Sequence, residues 1–224
     1  MKSLYQYIIT ESIRKLGKNE KGVIVFDIDD TLLHSDPTVM KVYKREPGKP
    51  VKELSTEEYA KDPDTDDPEK KGWFDFSMFR DPKMVYKSIV EGTPIIKNLK
   101  IMDNYIEAGY HFCFLTARAC EDTIKDAIAE FIRKKNPNTG ALEKLQDEYK
   151  RSLSHAINDD SKGYEGKSDG ERKANVLKKL IKEYDRVVFV DDDEKNIRSA
   201  KALRNELKLE RNKFSIIKAW EPDK

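Results

Sequence analysis

The stretch Val23-Ile24-Val25-Phe26-Asp27-Ile28-Asp29-Asp30-Thr31-Leu32-Leu33 constrains the fold more than any other part of the chain. Four apolar residues, mostly β-branched, follow Gly22 and run straight into an acidic cluster. That pattern reads as a strand of a parallel sheet, buried on both faces, with polar groups at its carboxyl end. In an open α/β sheet the loops leaving the carboxyl ends of the strands line the ligand crevice, so Asp27 and Asp29, two apart and on one face, address one ligand. Two carboxylates held together repel unless a cation or a shared proton joins them. Asp29-Asp30-Thr31 can also serve as a plain cap for the next segment, and the later segments weigh against that reading.

Three more elements end in groups of the same kind. A helix from Pro94-Ile95-Ile96 to Ala108 is expected, with Ile96, Leu99, Met102 or Asp103, and Ile106 inward and a stop at Gly109. The apolar run Tyr110 to Leu115 then delivers Thr116 and Arg118. The next helix, Glu121 to Lys135, turns Ile124, Ile128, Phe131 and Ile132 inward and stops at Asn136-Pro137-Asn138. Ala141 to Arg151 reads as helical and Ser152 to Ile157 as a short third strand. Glu171 to Tyr184 is a helix with Ala174, Leu177, Leu180 and Ile181 on one face and Lys173 in its first turn. A cation there opposes the helix dipole by roughly a few tenths of a kcal/mol, so an anion just beyond it explains Lys173 better. Arg172, Lys178 and Lys179 compete for that part. The strand Arg186 to Val190 delivers Asp191-Asp192-Asp193, of which Asp193 caps a helix through Ile197, Ala200 and Leu203. Asp191 and Asp192 then face the crevice, and Phe214 to Trp220 forms an edge strand.

Between the first two strands lies a long polar segment. Val39 to Lys44 reads as a short exposed strand, Pro47-Gly48-Lys49-Pro50 as a turn, Ser55 to Tyr59 as a helix start and Lys61 to Lys71 as a solvated loop. Trp73 to Phe79 holds four aromatics in seven residues, which are expected to anchor the segment to the core. A chain of 224 residues has room for a core and such an elaboration. Charged residues make up 38% of it but leave a net charge of +1, so no global field recruits nucleic acid or membrane. Cys113 and Cys120 suit a reducing compartment and no disulfide is expected. No apolar run approaches the roughly 20 residues of a membrane span, and a secretory signal is missing, so a cytoplasmic protein is expected. Leu4, Ile8, Ile9, Ile13 and Leu16 fall at near-helical spacing before Gly17.

In chain order the element ends supply Asp27 and Asp29, Thr116, Lys173, and Asp191 with Asp192. That order resembles the haloacid dehalogenase-like superfamily of phosphotransferases from about Val23 to Trp220. Receiver domains use similar groups but place the acidic pair first. The resemblance implies a Rossmann-like α/β fold: a doubly wound, mainly parallel sheet formed by 18–35 and 93–224. A cap-like insertion, 36–92, would lie between the first and second motifs. It further implies a magnesium-dependent phosphatase with Asp27 as the nucleophile that becomes an aspartyl phosphate. Asp29 would protonate the leaving oxygen and later activate water. Mg2+ would be bound by the carboxylates of Asp27 and Asp192 and the backbone carbonyl of Asp29, with Asp191 and Thr31 in support. Thr116 and Lys173 would bind phosphoryl oxygens. Arg118 would bind substrate, as in phosphatases acting on nucleotides or polynucleotide ends. A second acid two residues after the nucleophile favours phosphate hydrolysis over dehalogenation.

The first residues, Met1 to Glu11, resemble the leader that sends internal proteins into the capsids of some tailed bacteriophages, with Ile9-Thr10-Glu11 as the cleavage triplet. That resemblance implies a phage-encoded protein of the host cytoplasm or the virion. The expected partner is a phosphate ester, nucleotide or nucleic-acid phosphate ahead of others, with no membrane and an open oligomeric state. Two other functions stay open: a packaged or binding protein that keeps the fold with little activity, and a phosphotransferase or phosphomutase.

Overall fold

The computed structural model describes residues 13–35, 39–55, 58–59, 61–65, 67–135 and 153–220. In chain order the strands and α-helices are β1 (Gly22–Phe26), β2 (Leu33–His34), β3 (Val42–Lys44), β4 (Lys52–Leu54), β5 (Phe74–Asp75), α1 (Pro82–Val90), β6 (Thr93–Pro94), α2 (Ile96–Glu107), β7 (His111–Thr116), α3 (Glu121–Lys135), β8 (Leu153–Ala156), α4 (Asp169–Glu183), β9 (Arg186–Asp191), α5 (Glu194–Glu206) and β10 (Phe214–Lys218). Every residue of β1 is buried, as an unbroken apolar run requires when both faces of its sheet are covered. The main sheet has five strands in the order β10-β9-β1-β7-β8, all parallel. Residues alternate between its faces. Ile24 and Phe26 share a core with α1, α2 and α3, while Val23 and Val25 share another with α4 and α5. The sheet is therefore doubly wound, and the short third strand is present as β8.

The helices follow the expected spans closely, with one shift of phase. In α2 the buried residues are Asn98, Leu99, Ile101, Met102 and Tyr105, whereas Ile96 is 49% exposed. Asn98 explains the rotation. Its side-chain amide donates to the carbonyls of Thr31 (2.7 Å) and Trp220 (3.0 Å) and its oxygen accepts from the Trp220 N–H (3.0 Å), which turns this polar residue inward. Gly109, at φ 94°, ends α2 in a conformation that L side chains avoid. Cys120 precedes α3 rather than lying within it, and both cysteines are free thiols.

The polar segment is a folded unit in its own right. β3 is the centre of a three-stranded antiparallel sheet, β4-β3-β5, and not an exposed strand. Val42, Leu54 and Phe74 form a small core there, with Tyr59 and Phe79 packed on it. The aromatics thus anchor the segment mainly to itself, and Phe79 reaches the main domain through its carbonyl, which accepts from Ala119 N–H (3.4 Å). The expected solvated loop at 61–71 is also more ordered than its composition suggests. Buried Lys44 draws it in, because an ammonium removed from water needs acceptors: Asp62 at 2.8 Å, Asp64 at 2.6 Å and Glu46 at 3.3 Å. The chain leaves and re-enters the main domain through the paired strands β2 and β6. Helix α1 lies within the span 36–92 but buries Val85, Ile89 and Val90 in the main core.

The leader resemblance at Met1 to Glu11, Asp36, the helix at Ala141 to Arg151 and the stop at Asn136-Pro137-Asn138 lie outside the described residues. Ile13 to Leu16 are not helical; Leu16 donates its N–H to the Ala108 carbonyl (3.1 Å) beside β1. Among the described residues no helix is long and apolar enough to cross a membrane.

Two stability outcomes follow from this packing. A Cβ at Gly22 would lie 2.6 Å and 2.7 Å from ring atoms of Tyr110 and 2.9 Å from Leu16, whereas one at Gly72 meets nothing within 4 Å. Gly22→Ala is expected to lower unfolding stability in urea by about 1–3 kcal/mol. Gly72→Ala should leave it nearly unchanged, and equal midpoints for the two variants would refute the tight contact. Lys44→Met strands the carboxylate of Asp62 and leaves Asp64 with Lys70 alone, so limited proteolysis should cut 61–71 faster than in the parent chain while the main-domain helices stay protected.

Candidate active site

The site begins where β1 ends. Asp27 continues the strand's pairing by donating its N–H to the Val190 carbonyl (3.0 Å), and the chain then folds into a tight turn on the Ile28 carbonyl. That carbonyl accepts from Thr31, Leu32 and Leu33 at 3.4, 2.9 and 3.2 Å, while Asp30 takes φ 54°. The turn brings Thr31 to β9: its hydroxyl donates to Asp192 Oδ1 (2.9 Å) and accepts from the Asp192 N–H (3.1 Å). From β1 the chain goes first to β7 on one side and returns later to β9 on the other, the topology that opens a crevice at the strand ends.

Lys173 reaches the same place from α4. The residue is 2% exposed, and its ammonium lies 2.9 Å from Asp27 Oδ1 and 2.7 Å from Asp191 Oδ2. Of its competitors, Arg172 is engaged with Asn158 and Lys178 with Glu206. Asp191 is fully buried and fastened on every side. Besides Lys173 it accepts from Asn196 Nδ2 (3.1 Å to each oxygen) and from the Asp193 N–H (2.9 Å). Asn196 went unnoticed in the sequence, although a polar residue in the first turn after an acidic strand end is the kind of signal that marks it. Asp193 caps α5 by accepting from Lys195 N–H.

One carboxylate oxygen each from Asp27, Asp191 and Asp192 fall within 4.8 Å of one another. Three carboxylates thus cluster around a site where one ammonium reaches two of them, Asp27 and Asp191. Burial, only partly offset by Lys173 and reinforced by Asp191, Asp192 and Asp29, pushes the Asp27 carboxyl well above the usual range. Burial and then the Asp191 charge push Asp192 up to about 7. Lys173 is held firmly protonated, because Asp27 and Asp191 outweigh the burial that opposes its charge. This surplus of hard oxygen donors over cations fits a divalent metal such as magnesium, which would neutralise it.

Asp29 and Arg118 form a separate pair. Arg118 Nε donates to Asp29 Oδ2 (2.8 Å) and Nη2 to Oδ1 (2.7 Å). Burial works against ionisation of Asp29, but the Arg118 charge and its hydrogen bonds prevail and hold the carboxyl below its ordinary value. The remaining guanidinium hydrogens go to Ser35 Oγ (2.7 Å), Ser88 Oγ (2.6 Å) and the Val85 carbonyl (3.3 Å). The expectation that Arg118 binds substrate thus meets a guanidinium whose donors all have protein acceptors. A guanidinium this buried has to satisfy all its donors internally, and none is left for a substrate oxygen. Thr116 is the last residue of β7; the pairing of Phe114 with Phe26 sets it alongside the Asp27–Asp29 turn. It is fully buried, and its hydroxyl accepts from the Arg118 N–H (3.3 Å). Asn98, also absent from the sequence reading, tethers the Thr31 carbonyl from below.

The family model described as haloacid dehalogenase-like hydrolase matches residues 22–204, from the first residue of β1 into α5. No curated protein matches the chain. The match takes in Asp27, Asp29, Thr116, Lys173, Asp191 and Asp192, the residues that the sheet gathers at its carboxyl edge, and with most of the chain covered this protein belongs to the haloacid dehalogenase-like hydrolases.

Proposed function

We propose that this hydrolase is a magnesium-dependent phosphomonoesterase acting through an aspartyl phosphate on Asp27. The observation that carries the reading is the shared cradle of Asp27, Asp192 and Lys173, in which one ammonium faces a surplus of carboxylates at the mouth of a parallel sheet. Asp27 attacks phosphorus, forming an O–P bond as the bond to the leaving oxygen breaks, and Asp29 gives that oxygen a proton. Water then attacks the same phosphorus, Asp29 takes its proton, and inorganic phosphate leaves with Asp27 regenerated. Asp29 has to arrive protonated for the first half, against the pull of Arg118; the negative phosphate entering beside it drives proton uptake. Thr116 and Lys173 hold phosphoryl oxygens on which charge must be stabilised. Asp191 orients Lys173, and Thr31 orients Asp192. Bound magnesium, held by the carboxylates of Asp27 and Asp192 and the carbonyl of Asp29, would supply the positive charge that keeps Asp27 ionised and draws the phosphate in.

The unit built on β3, β4 and β5 stands where this superfamily places its cap, so the reading assigns substrate selection to residues 39–80. The preference for nucleotides leaned on Arg118. With that guanidinium committed to Asp29, phosphate monoesters in general are the substrate class, and a screen over mononucleotides, 3′-phosphorylated oligonucleotides and sugar phosphates would narrow it.

Asp27→Asn is expected to lower turnover of p-nitrophenyl phosphate by roughly a thousandfold or more, about 4 kcal/mol at the transition state. Full retention by that variant rules out Asp27 as nucleophile. Chelation of divalent ions should abolish turnover in the parent protein. In thermal melts magnesium should raise the midpoint of the parent chain. Asp192→Asn, which removes one of the crowded carboxylates, should lose that shift while melting no lower than the parent without metal. A parent protein that neither binds magnesium nor loses turnover on chelation would end the metal assignment.

A further inference from the structure

Arg118 makes contacts that no phosphate-binding role explains. Its side chain is 1% exposed, and each of its five N–H groups meets a protein acceptor. The acceptors come from three parts of the chain. Asp29 belongs to the turn after β1, Ser35 follows β2 where the chain leaves for the β3–β5 unit, and Val85 with Ser88 lies on α1, where the chain has returned. Ser88 is itself fully buried, accepts from Arg118 Nη1 and donates to the Val85 carbonyl (2.9 Å). Ser35 accepts from Arg118 Nη2 and donates to Asp29 Oδ1 (2.6 Å).

The consequence for Asp29 is geometric. A carboxylate has about four acceptor positions. Two donors, Arg118 Nη2 and Ser35 Oγ, fill Oδ1, and Arg118 Nε takes one position on Oδ2. One position on Oδ2 is left for a proton in transit, and the two-pronged contact fixes the plane of the group. Meanwhile the Asp29 side chain keeps 37% of its surface exposed, so the clamp grips it from behind while it still faces solvent and substrate. A clamp that served stability alone would have little reason to spend a buried guanidinium on a half-exposed acid, since burying such a charge costs about as much as the pair returns.

We propose that Arg118, anchored by Ser88 and Ser35, is a positioning residue that aims Oδ2 of Asp29 at the leaving oxygen and ties this aim to the two roots of the inserted unit. The inference rests on the phosphatase reading and deepens it. In the first half-reaction the proton passes from Asp29 Oδ2 to the leaving oxygen as the P–O bond breaks, and in the second it returns to Oδ2 from water.

Leaving groups separate aiming from mere support. p-Nitrophenolate departs with little help from an acid, whereas the alkoxide of β-glycerophosphate needs its proton; kcat/KM reports only the steps through the first bond cleavage. With the full chain and magnesium, Arg118→Gln is expected to lower kcat/KM about a hundredfold for β-glycerophosphate and less than about tenfold for p-nitrophenyl phosphate, the loss typical of a misplaced general acid. A stoichiometric burst of p-nitrophenol should appear, because the slowed water step leaves the phosphorylated enzyme to accumulate. Asp29→Asn combined with Arg118→Gln should lose no more than Asp29→Asn alone. Ser88→Ala removes a single anchor and should show the same selectivity in milder form, which keeps the test decisive if Arg118→Gln does not fold. Equal losses on the two substrates, additive losses in the double variant, or a selectivity unchanged in Ser88→Ala would overturn the positioning role while leaving the phosphatase standing. Failure of the parent protein to hydrolyse either ester, or undiminished activity in Asp27→Asn, would overturn both.

Discussion

Everything at the carboxyl edge of the sheet depends on a single buried ammonium. Lys173 lies within 2.9 Å of Asp27 and 2.7 Å of Asp191, with the residue almost wholly removed from water. Desolvating an ammonium costs several kcal/mol, and the cost is offset only if acceptors surround it in good geometry. Here the acceptors come from two neighbouring strands, β1 and β9, and the donor from the helix that enters β9. The interaction thereby reports that β1 has assembled correctly against the remote α4–β9 pair. Such a pair adds little net stability, yet removing one partner leaves the others buried and uncompensated, so the arrangement tolerates few alternatives.

The two acids of the first motif show how environment divides labour. They are two residues apart and identical in chemistry, but Asp27 is enclosed with other carboxylates and one ammonium, whereas Asp29 is held by a guanidinium and a hydroxyl at the rim. Burial and like charges drive the Asp27 carboxyl upward, and Arg118 draws that of Asp29 downward. On the proposed reading, this separation matches two different roles in one reaction. On that reading Asp27 acts as an ionised nucleophile, and a bound dication would add positive charge beside the single ammonium of Lys173.

The fold was largely legible because its signal is redundant. A parallel strand covered on both faces has to be apolar throughout, and β1, β7 and β9 each show an unbroken run ending in a polar group. β8 was harder to see, since Leu153-Ser154-His155-Ala156 is short and half polar, as suits the last strand of a sheet. Where the reading missed, a polar side chain had been turned inward by partners remote in sequence. Asn98 rotates α2 to reach Thr31 and Trp220, Lys44 gathers Asp62 and Asp64 into a loop that looked solvated, and Asn196 fastens Asp191. Apolar periodicity carries no trace of such residues. Arg118 is the sharpest instance: its place after Thr116 was visible, but its four partner residues are known only once α1 and the β2–β6 pair are in position. The helix α1 itself escaped notice because it follows a long polar stretch.

That last case bears on why the inserted unit sits where it does. A chain that leaves the core just after β2 and returns through α1 and β6 keeps both roots beside the Asp27–Asp29 turn, since Leu33 and His34 pair with Pro94 and Thr93. One guanidinium can then touch the outgoing strand's Ser35, the returning helix's Ser88 and the acid between them. A shift of α1 is therefore felt at Asp29 through Arg118, and a shift of the segment after β2 both through Arg118 and through the direct Ser35–Asp29 hydrogen bond, over distances of 2.6–2.8 Å. Among the described residues Asp27 is instead held by Lys173, at 2.9 Å. The geometry thus makes Asp29, rather than Asp27, the carboxylate that is bonded to the seat of the insertion.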